Sequence, residues 1–319
     1  MKAAVRTKYG SPDVLNIIEV EKPIPDDNEV LIRVYATTVN RTDWGILSGN
    51  PLLIRLFYGL FKPNSPITGV DFAGKIESVG KNVFSFKVGD RVWGFKGGTH
   101  AKYIKMAEDK SITTIPDNIN YEQAAASAEG AHYAYNAVKK VEFKNGQKVL
   151  VNGATGAIGS ALVQFLKYFG ANITAVCDTK NIKLVKGLGA DRIIDYTKED
   201  FTKDDERYDF IFDAVGKSSF AKCKPLLQPD GVYTSTDGFE NLFLSFITPI
   251  TGGKKVIFKL PTDTKKSIFF IRDLLEKEKF KPLIDRKYPL ENIAEAYNYV
   301  ATGTKTGNVI LTFEDDTKF

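Results

Sequence analysis

A glycine-rich turn follows a short apolar stretch at residues 148–159, where the sequence reads KVLVNGATGAIG. Gly156 allows the backbone to approach a phosphate, and Gly159 allows the following helix to pack closely on the strand. The N-terminus of that helix offers unpaired N–H groups and a partial positive charge. The order of strand, glycine turn and helix therefore predicts a site for the pyrophosphate of a dinucleotide.

The flanking sequence supports this interpretation. Apolar residues recur at helical spacing from Ile158 to Phe169, Gly170 is placed to end the helix, and a second apolar strand follows at 173–177. Ala154 stands where the usual fingerprint has its first glycine. An ordinary tight turn is the alternative, but the complete strand–helix–strand unit favours dinucleotide binding.

Composition restricts the class of protein further. The chain has 319 residues, enough for two domains, and 44 basic against 39 acidic residues give a net charge of +5. This small excess suits an anionic cofactor but does not indicate a surface that binds nucleic acid. No stretch reaches the roughly 20 apolar residues of a membrane helix, and the N-terminus lacks a secretory h-region. With two cysteines, Cys177 and Cys223, we expect no disulfide framework and a cytosolic protein without membrane or nucleic-acid partners.

The pattern of predicted elements changes near residue 123. Before it, short stretches with many Gly and Pro breaks predict a mostly antiparallel β domain. After a helical run from 124 to about 140, strands and helices alternate, which predicts an α/β domain with a doubly wound parallel sheet. The early strands are 29–37, 67–80, 88–95 and 100–106, and the alternating segments are 148–152, 158–169, 173–177, 181–188, 192–195, 208–215, 219–227, 231–235 and 256–260.

The C-terminal part carries a predicted helix at 264–279, a second helix at 293–302 and a strand at 308–313. We expect this tail to fold back onto the first domain and make it discontinuous. The predicted domains are therefore 1–122 with 262–319, and 123–261.

Six ordered motifs resemble one family. The chain is similar to zinc-free quinone oxidoreductases of the zeta-crystallin-like type, within the medium-chain dehydrogenase/reductase superfamily. The resemblance implies a GroES-like catalytic domain, a Rossmann cofactor-binding domain, NAD(P)H-dependent hydride transfer and a homodimer. The motifs are 69–74 (GVDFAG), 79–83 (VGKNV), 86–92 (FKVGDRV), 153–159 (GATGAIG), 209–216 (DFIFDAVG) and 288–296 (YPLENIAEA).

Two positions depart from that family pattern. Ala157 stands where relatives usually have a second glycine, and Tyr133 stands near a usual threonine. In relatives the segment around Tyr133 approaches the nicotinamide, so the resemblance implies a pocket of different shape here.

The donor set for zinc is absent from the sequence. A structural zinc lobe needs four cysteines, and this chain has two. The resemblance places Asn40 and Val70 where zinc relatives carry a cysteine and a histidine ligand, and neither side chain replaces a thiolate or an imidazole. His100 and His132 lack ligand partners at suitable spacing. We therefore expect metal-free chemistry.

A metal-free nicotinamide site suits acceptors that take hydride readily, such as quinones and α,β-unsaturated carbonyls. Asn40 is the first candidate for a polar contact to the developing oxyanion, Asp43 lies in the same loop, and Tyr58 is a candidate proton donor. The alternatives are a turn residue for Asn40, a helix cap or structural hydrogen bond for Asp43, and a pocket wall for Tyr58. For the apolar runs 52–58 and 242–250 there are three alternatives, which are a hydrophobic substrate pocket, a subunit contact and the core.

The segment after the second strand bears on the choice between NADH and NADPH. Asp178 fits an acid that binds the ribose hydroxyls and favours NADH, whereas Lys180 and Thr179 suit the 2′-phosphate of NADPH. The resemblance favours NADPH, with NADH as the alternative. The predicted cofactor-binding residues are Gly153, Thr155, Gly156, Ala157, Ile158, Asp178, Thr179, Lys180, Asn181, Tyr196, Val215 and Gly216.

The sequence thus predicts an NAD(P)H-dependent, zinc-independent oxidoreductase that reduces a small hydrophobic electrophile. The alternatives are an alcohol or carbonyl dehydrogenase of the same superfamily, and a non-catalytic NADPH-binding protein.

Overall fold

The computed structural model describes residues 1–141, 143–258 and 262–313. These residues form two compact units, which divide the chain after residues 129, 263, 277 and 281. The first unit contains residues 1–129, 264–277 and 282 onward, and the second contains the stretch between 130 and 263 with 278–281. The predicted domain ranges stay a prediction, and residues 314–319 of the first range lie outside the described residues.

The elements have the following bounds. The strands are β1 (Lys2–Val5), β2 (Asn16–Glu19), β3 (Glu29–Val39), β4 (Asp71–Val79), β5 (Arg91–Phe95), β6 (Tyr103–Ala107), β7 (Ile112–Thr114), β8 (Lys148–Asn152), β9 (Asn172–Cys177), β10 (Arg192–Asp195), β11 (Tyr208–Asp213), β12 (Leu227–Ser235), β13 (Lys255–Val256), β14 (Ile284–Pro289) and β15 (Asn308–Thr312). The helices are α1 (Arg41–Ser48), α2 (Arg55–Tyr58), α3 (Tyr121–Ala126), α4 (Glu129–Lys139), α5 (Ala157–Tyr168), α6 (Ile182–Gly187), α7 (Phe220–Cys223), α8 (Phe239–Thr251), α9 (Thr264–Glu276) and α10 (Ile293–Ala301).

The first unit is built on a largely antiparallel sheet with the order β14-β15-β3-β4-β5-β7, and β6 pairs with the other part of β3. The long strand β3 buries Val30, Ile32 and Val34 at alternate positions, which pack with Phe72 and Val92 in one apolar cluster. The C-terminal segment extends this sheet, because β15 pairs antiparallel with β3. This is the predicted GroES-like β architecture.

The second unit contains a parallel sheet with the order β10-β9-β8-β11-β12-β13. This is the doubly wound order 3-2-1-4-5-6, in which the chain reverses direction across the sheet between β8 and β11. Val149, Leu150 and Val151 are all fully buried, as a central parallel strand covered on both faces requires. The predicted α/β class with a Rossmann domain is confirmed.

Several elements differ from the sequence prediction. The single helical run from 124 to 140 is two helices, because α3 ends at Ala126 and α4 begins at Glu129. The apolar run 242–250 lies in α8, which carried no helix prediction, and β14 was missed. The predicted strand 256–260 lies partly outside the described residues, and the structure describes a strand at 255–256. Within the described ranges, no helix has the length and apolar character needed to span a membrane.

Candidate functional site

The glycine-rich turn after β8 depends on close backbone approach. Gly153 has φ +81°, and a Cβ there would lie 2.4 Å from Val215 Cγ1. A Cβ on Gly159 would lie 2.1 Å from the Gly153 carbonyl oxygen, so α5 packs directly on the turn. At Gly156, the N-cap of α5, a Cβ would meet its nearest neighbour only at 3.8 Å. The space over Gly156 is therefore open at a helix N-terminus, where an anionic group is stabilised.

The loop after β11 is held by one carboxylate, Asp213, which is 1% exposed. One oxygen accepts hydrogen bonds from the Asn152 amide at 3.0 Å and the Gly216 N–H at 3.0 Å. The other accepts from the Ser218 N–H at 2.8 Å and the Tyr233 hydroxyl at 3.3 Å. These bonds tie the ends of β8 and β11 together and fix the loop opposite the glycine turn.

A cavity of about 100 Å³ opens at the carboxyl ends of these strands. Ligands of doubly wound sheets bind at this place, where the strand order reverses. The lining residues come from α4 and the residue after it, from α5, from the ends of β11 and β12 and from the segment after β13, namely Tyr133, Ala137, Lys140, Ile158, Leu162, Phe212, Asp213, Ala214, Thr234, Ser235, Thr236 and Phe258.

The predicted ribose-binding residues follow β9. Asp178 is the N-cap of a short 3-10 turn over Thr179–Asn181 and accepts a hydrogen bond from the Asn181 amide at 2.6 Å. Lys180 Nζ lies 3.6 Å from Asp178 Oδ2, and the Lys180 side chain is 71% exposed. The Thr179 hydroxyl donates to Asp195, whose pKa is lowered to about 2 chiefly by this bond. Tyr196, after β10, is 58% exposed.

The structure thus groups the predicted cofactor residues in two places. Gly153, Thr155, Gly156, Ala157 and Ile158 form the turn, with Val215 and Gly216 opposite them, whereas Asp178, Thr179, Lys180, Asn181 and Tyr196 follow β9 and β10. The prediction missed Asp213 as a site residue, although its place in the 209–216 motif, directly before Val215 and Gly216, was a usable signal. It also missed the 234–236 segment, which carries no motif.

Asn40 and Asp43 form a capping box at the start of α1, in the first unit. The Asn40 N–H donates to Asp43 Oδ2 at 2.9 Å, and the Asn40 amide donates to the Thr38 hydroxyl. Both residues are buried, at 3% and 1% exposure. The structural hydrogen bond foreseen for Asp43 is therefore present, and Asn40 is the N-cap of α1 rather than the turn residue foreseen for it.

Asp43 nevertheless stands out electrostatically. Burial, with Glu129 and Asp71 as negative neighbours, raises the pKa of Asp43 well above its usual range. Its second oxygen, Oδ1, has no hydrogen-bond partner among the described residues. Tyr58 is 41% exposed, and burial together with the charges of Asp43 and Glu129 raises the pKa of its phenol. The three predicted catalytic residues are thus linked: Asp43 acts electrostatically on Tyr58, and Asn40 is hydrogen-bonded to Asp43.

Asp71 and His100 are buried beside this capping box. Thr38 donates to Asp71 with its N–H at 2.8 Å and its hydroxyl at 2.5 Å, and burial raises the pKa of Asp71 to about 6. His100 Nε2 lies 2.9 Å from the Thr38 carbonyl oxygen and therefore donates, whereas Nδ1 accepts from the Thr68 hydroxyl at 2.8 Å. Burial lowers the pKa of His100 to about 4, so the ring is neutral and structural.

The side chains do not fit zinc. Asn40 directs its amide N–H at Thr38, Val70 offers no donor atom, and both ring nitrogens of His100 are engaged. No set of three His, Cys, Asp or Glu side chains within the described part of the chain is arranged to hold a metal ion. Cys177 and Cys223 are buried, which raises the pKa of each thiol to about 11.

The two apolar runs lie largely at the surface. Leu52, Leu56 and Phe57 are 64–71% exposed in the first unit. Phe243 and Phe246 on α8 are 67% and 68% exposed in the second. For these residues the core-packing alternative is wrong, because each leaves most of its area in contact with solvent.

Comparison with known proteins places the chain in a family. Residues 26–117 match the alcohol dehydrogenase GroES-like domain, and residues 188–311 match the zinc-binding dehydrogenase family. A 2-methylene-furan-3-one reductase of Solanum lycopersicum is 32% identical, over 98% of this chain and 79% of that protein. The chain belongs to the medium-chain dehydrogenase/reductase superfamily.

Other members of this superfamily are similar over the same length. An NADPH-dependent alkenal/one oxidoreductase of Arabidopsis thaliana is 30% identical, over 98% of this chain and 79% of that protein. The quinone oxidoreductase structure from Coxiella burnetii has a TM-score of 0.87 at 23% identity and covers 98% of this chain and 99% of its own. The predicted family and fold are thereby confirmed.

Proposed function

We propose that this protein is an NADPH-dependent reductase that transfers hydride to quinones or α,β-unsaturated carbonyls without a metal ion. The observation that carries the proposal is the open glycine turn at the strand reversal of a 3-2-1-4-5-6 sheet. Relatives named furanone reductase and alkenal/one oxidoreductase support the reaction class.

The second unit would hold the cofactor. The pyrophosphate would lie over Gly156 at the N-terminus of α5, and the loop at Val215 and Gly216, fixed by Asp213, would face it. The bound nicotinamide supplies the hydride, and the remaining work of the protein is to orient the acceptor and exclude water. No step uses zinc, because Asn40 and Val70 do not provide a ligand set.

The preference for NADPH rests on Lys180. Its ammonium group lies beside Asp178 and partly neutralises the carboxylate that would otherwise repel a 2′-phosphate. The Asp178 carboxylate is also engaged by the Asn181 amide. Lys180 and the exposed Tyr196 would then border the adenosine phosphate.

We assign Tyr58 to the wall around the acceptor, and Asn40 and Asp43 to the support of that wall through the α1 cap. A homodimer and a cytosolic location are further parts of the proposal and rest on the sequence alone. The substrate would be small and hydrophobic, in keeping with the exposed apolar residues between 52 and 61.

The test follows NADPH and NADH oxidation at the nicotinamide absorbance band with quinones, enals and simple aldehydes, before and after treatment with a chelator. We expect turnover with quinones or enals, faster with NADPH and unchanged by the chelator. Turnover only with aldehydes and alcohols would favour an alcohol or carbonyl dehydrogenase. Cofactor binding without turnover would favour a non-catalytic protein, and loss of activity with zinc removal would refute the metal-free proposal.

A further inference from the structure

The segment 51–62, which follows α1 in the first unit, presents large apolar side chains to solvent. Its sequence is PLLIRLFYGLFK. Single apolar residues are ordinary on a protein surface, but a group of them close together marks an interaction site. Six leucine and phenylalanine side chains of this segment are between 44% and 90% exposed, namely Leu52, Leu53, Leu56, Phe57, Leu60 and Phe61.

The segment is inverted relative to an ordinary surface element, because its arginine faces inward. The Arg55 guanidinium lies over the Tyr9 ring, 4.7 Å from the ring centroid, and Arg55 Nε donates to the Gly49 carbonyl oxygen at 3.2 Å. Ile54 also faces the unit, since its Cδ1 would lie 3.3 Å from a Cβ on Gly45 of α1. These two residues attach the segment, and the neighbouring leucines and phenylalanines remain on the outside.

Hydrogen bonds fix the end of the segment. The Tyr9 hydroxyl donates to the Gly59 carbonyl oxygen at 2.6 Å, and the Asn64 N–H donates to the Tyr58 carbonyl oxygen at 2.7 Å. Gly59 has φ +114°, and a Cβ there would lie 2.0 Å from the Lys62 carbonyl oxygen, so glycine is required at this turn. The apolar side chains that follow Gly59 are therefore displayed on a defined, closed turn.

The accessible charges along this stretch are positive. Between the acids Asp43 and Asp71, which are both buried, the sequence has Arg55 and Lys62 and no aspartate or glutamate. Lys62 is exposed at the end of the segment, and Lys8, which precedes the tyrosine under Arg55, is also exposed. An apolar surface bordered by cations complements a surface that is apolar inside and anionic at its boundary.

The other exposed apolar surface, on α8, has a different charge. Phe243, Phe246 and Ile250 are exposed to a similar degree, but the one charged residue within this helix is Glu240. Similar apolar area is thus present on α8 without a cation among its residues. The comparison separates the contribution of exposed apolar side chains from that of their charged border.

We propose that the 51–62 segment docks the protein on a lipid bilayer that contains anionic lipids. Phe57 and Phe61 enter the boundary between head groups and acyl chains, while Lys62 and Lys8 contact lipid phosphates. Exposures up to 90% mean that these side chains protrude, which suits a fluid surface that yields around them, whereas an apolar peptide helix is bound in a groove.

This inference revises the expectation that the protein has no membrane partner. That expectation rested on the lack of an apolar stretch long enough to span a bilayer, and docking at the surface needs no such stretch. A bilayer also dissolves small hydrophobic molecules, so docking is compatible with the proposed substrate class. The inference itself does not depend on the proposed function.

The experiment measures co-sedimentation of the intact protein with vesicles of phosphatidylcholine alone and of phosphatidylcholine with phosphatidylglycerol. We expect stronger binding to the anionic vesicles, and a decrease as salt is raised. Phe57→Ser combined with Phe61→Ser should lower the partition coefficient about 100-fold, and Lys62→Gln should lower it for the anionic vesicles alone. Phe243→Ser combined with Phe246→Ser on α8 is the matched control and should bind as wild type does.

A direct measure of insertion carries the test if the double serine variant does not fold. Phe61→Trp should keep vesicle binding, and its fluorescence should shift to shorter wavelength and be quenched by lipids with brominated acyl chains. Failure of wild type to bind either vesicle would overturn the inference, as would equal binding by wild type and the variant without Phe57 and Phe61. A dimer that this variant dissociates, with no vesicle binding by wild type, would assign the surface to a second copy and overturn the inference as well.

The vesicle assay uses neither cofactor nor acceptor, so its result is independent of the turnover test. Turnover with quinones or enals by a protein that does not bind vesicles would overturn this inference alone. Vesicle binding by a protein that reduces no acceptor would support this inference and overturn the proposed function alone.

Discussion

Two buried carboxyl groups, one in each unit, have opposite surroundings. Asp213 accepts hydrogen bonds from an amide, a hydroxyl and backbone N–H groups on both of its oxygens. Glu129 has the Thr42 hydroxyl and lies near the carboxylates of Asp71 and Asp43. The difference teaches that a buried carboxylate with neutral donors on both oxygens fixes a loop, whereas a carboxyl group that is desolvated by burial and lies near like charges binds a proton more tightly.

Removal of Asp213 tests whether this carboxylate fixes the loop, and we expect it to have the largest effect on stability. Asp213→Ala leaves buried donors on Asn152, Ser218 and Tyr233 without their acceptor, so we expect a loss of about 3–5 kcal/mol in the free energy of unfolding. Denaturant titration measures it. Asp209→Ala on the same strand is the control, because within the described part of the chain Asp209 accepts one hydrogen bond, from the exposed Lys148 N–H, and the substitution should cost about 1 kcal/mol or less. Equal losses would contradict the structural role of Asp213.

A pair of glycine variants separates two roles of the glycine turn, which are the close packing of α5 and the open space for the pyrophosphate. Gly159→Ala should cost about 2–3 kcal/mol of unfolding free energy, because its Cβ would meet the Gly153 carbonyl oxygen at 2.1 Å. Gly156→Ala has open space and should change stability by about 0.5 kcal/mol or less, yet weaken NADPH binding. Thermal unfolding and fluorescence titration measure the two properties. A Gly156→Ala variant that binds NADPH as wild type does would move the pyrophosphate site elsewhere.

Glu129→Gln tests the other half of the comparison through stability. Because the folded pKa is raised from 4.5 to about 7, the folded state binds the proton more tightly, and wild-type stability falls as pH rises through this interval. The variant should therefore gain about 3 kcal/mol relative to wild type between about pH 4 and about pH 8. Denaturant unfolding at both pH values measures the gain. A stability difference that is constant with pH would show that Glu129 does not titrate in this range.

The smallest effect concerns a surface charge. Lys180→Ala should raise the KM for NADPH about tenfold and leave that for NADH nearly unchanged, because only NADPH carries a phosphate there. Steady-state kinetics with both cofactors measures it. Lys183→Ala on the next helix is the control, since this exposed lysine lies outside the predicted set. Equal changes for both cofactors would contradict the assignment of Lys180.

The sequence predicted the cofactor unit well because its signals are local. The strand at 148–152 was predicted at its observed bounds, and the turn that follows it is specified by glycines within seven residues. The family and fold predictions were confirmed, and the names of the relatives agree with the predicted reaction class. The assignment of individual site residues stays a prediction.

The polar neighbourhood of Glu129 could not be found in the same way. Thr42, Asp71, Glu129 and Lys305 are separated by up to 263 residues of sequence and meet only through the folded sheet. The sequence indicated Asp43 from its neighbour Asn40, but nothing local marked Glu129, because a single glutamate at a helix start is an ordinary feature. The pKa of Glu129 is raised because residues distant in the sequence bury it, and no local motif indicates this burial.

The state of the two cysteines has a consequence for the lifetime of the proposed catalyst. Quinones and enals arylate or alkylate thiolates, and the thiolate is the reactive form of cysteine. Cys177 and Cys223 are both buried, with pKa values raised to about 11, so each thiol stays protonated and enclosed at neutral pH. An enzyme that turns over such electrophiles is thereby spared covalent self-inactivation at its own sulfur atoms.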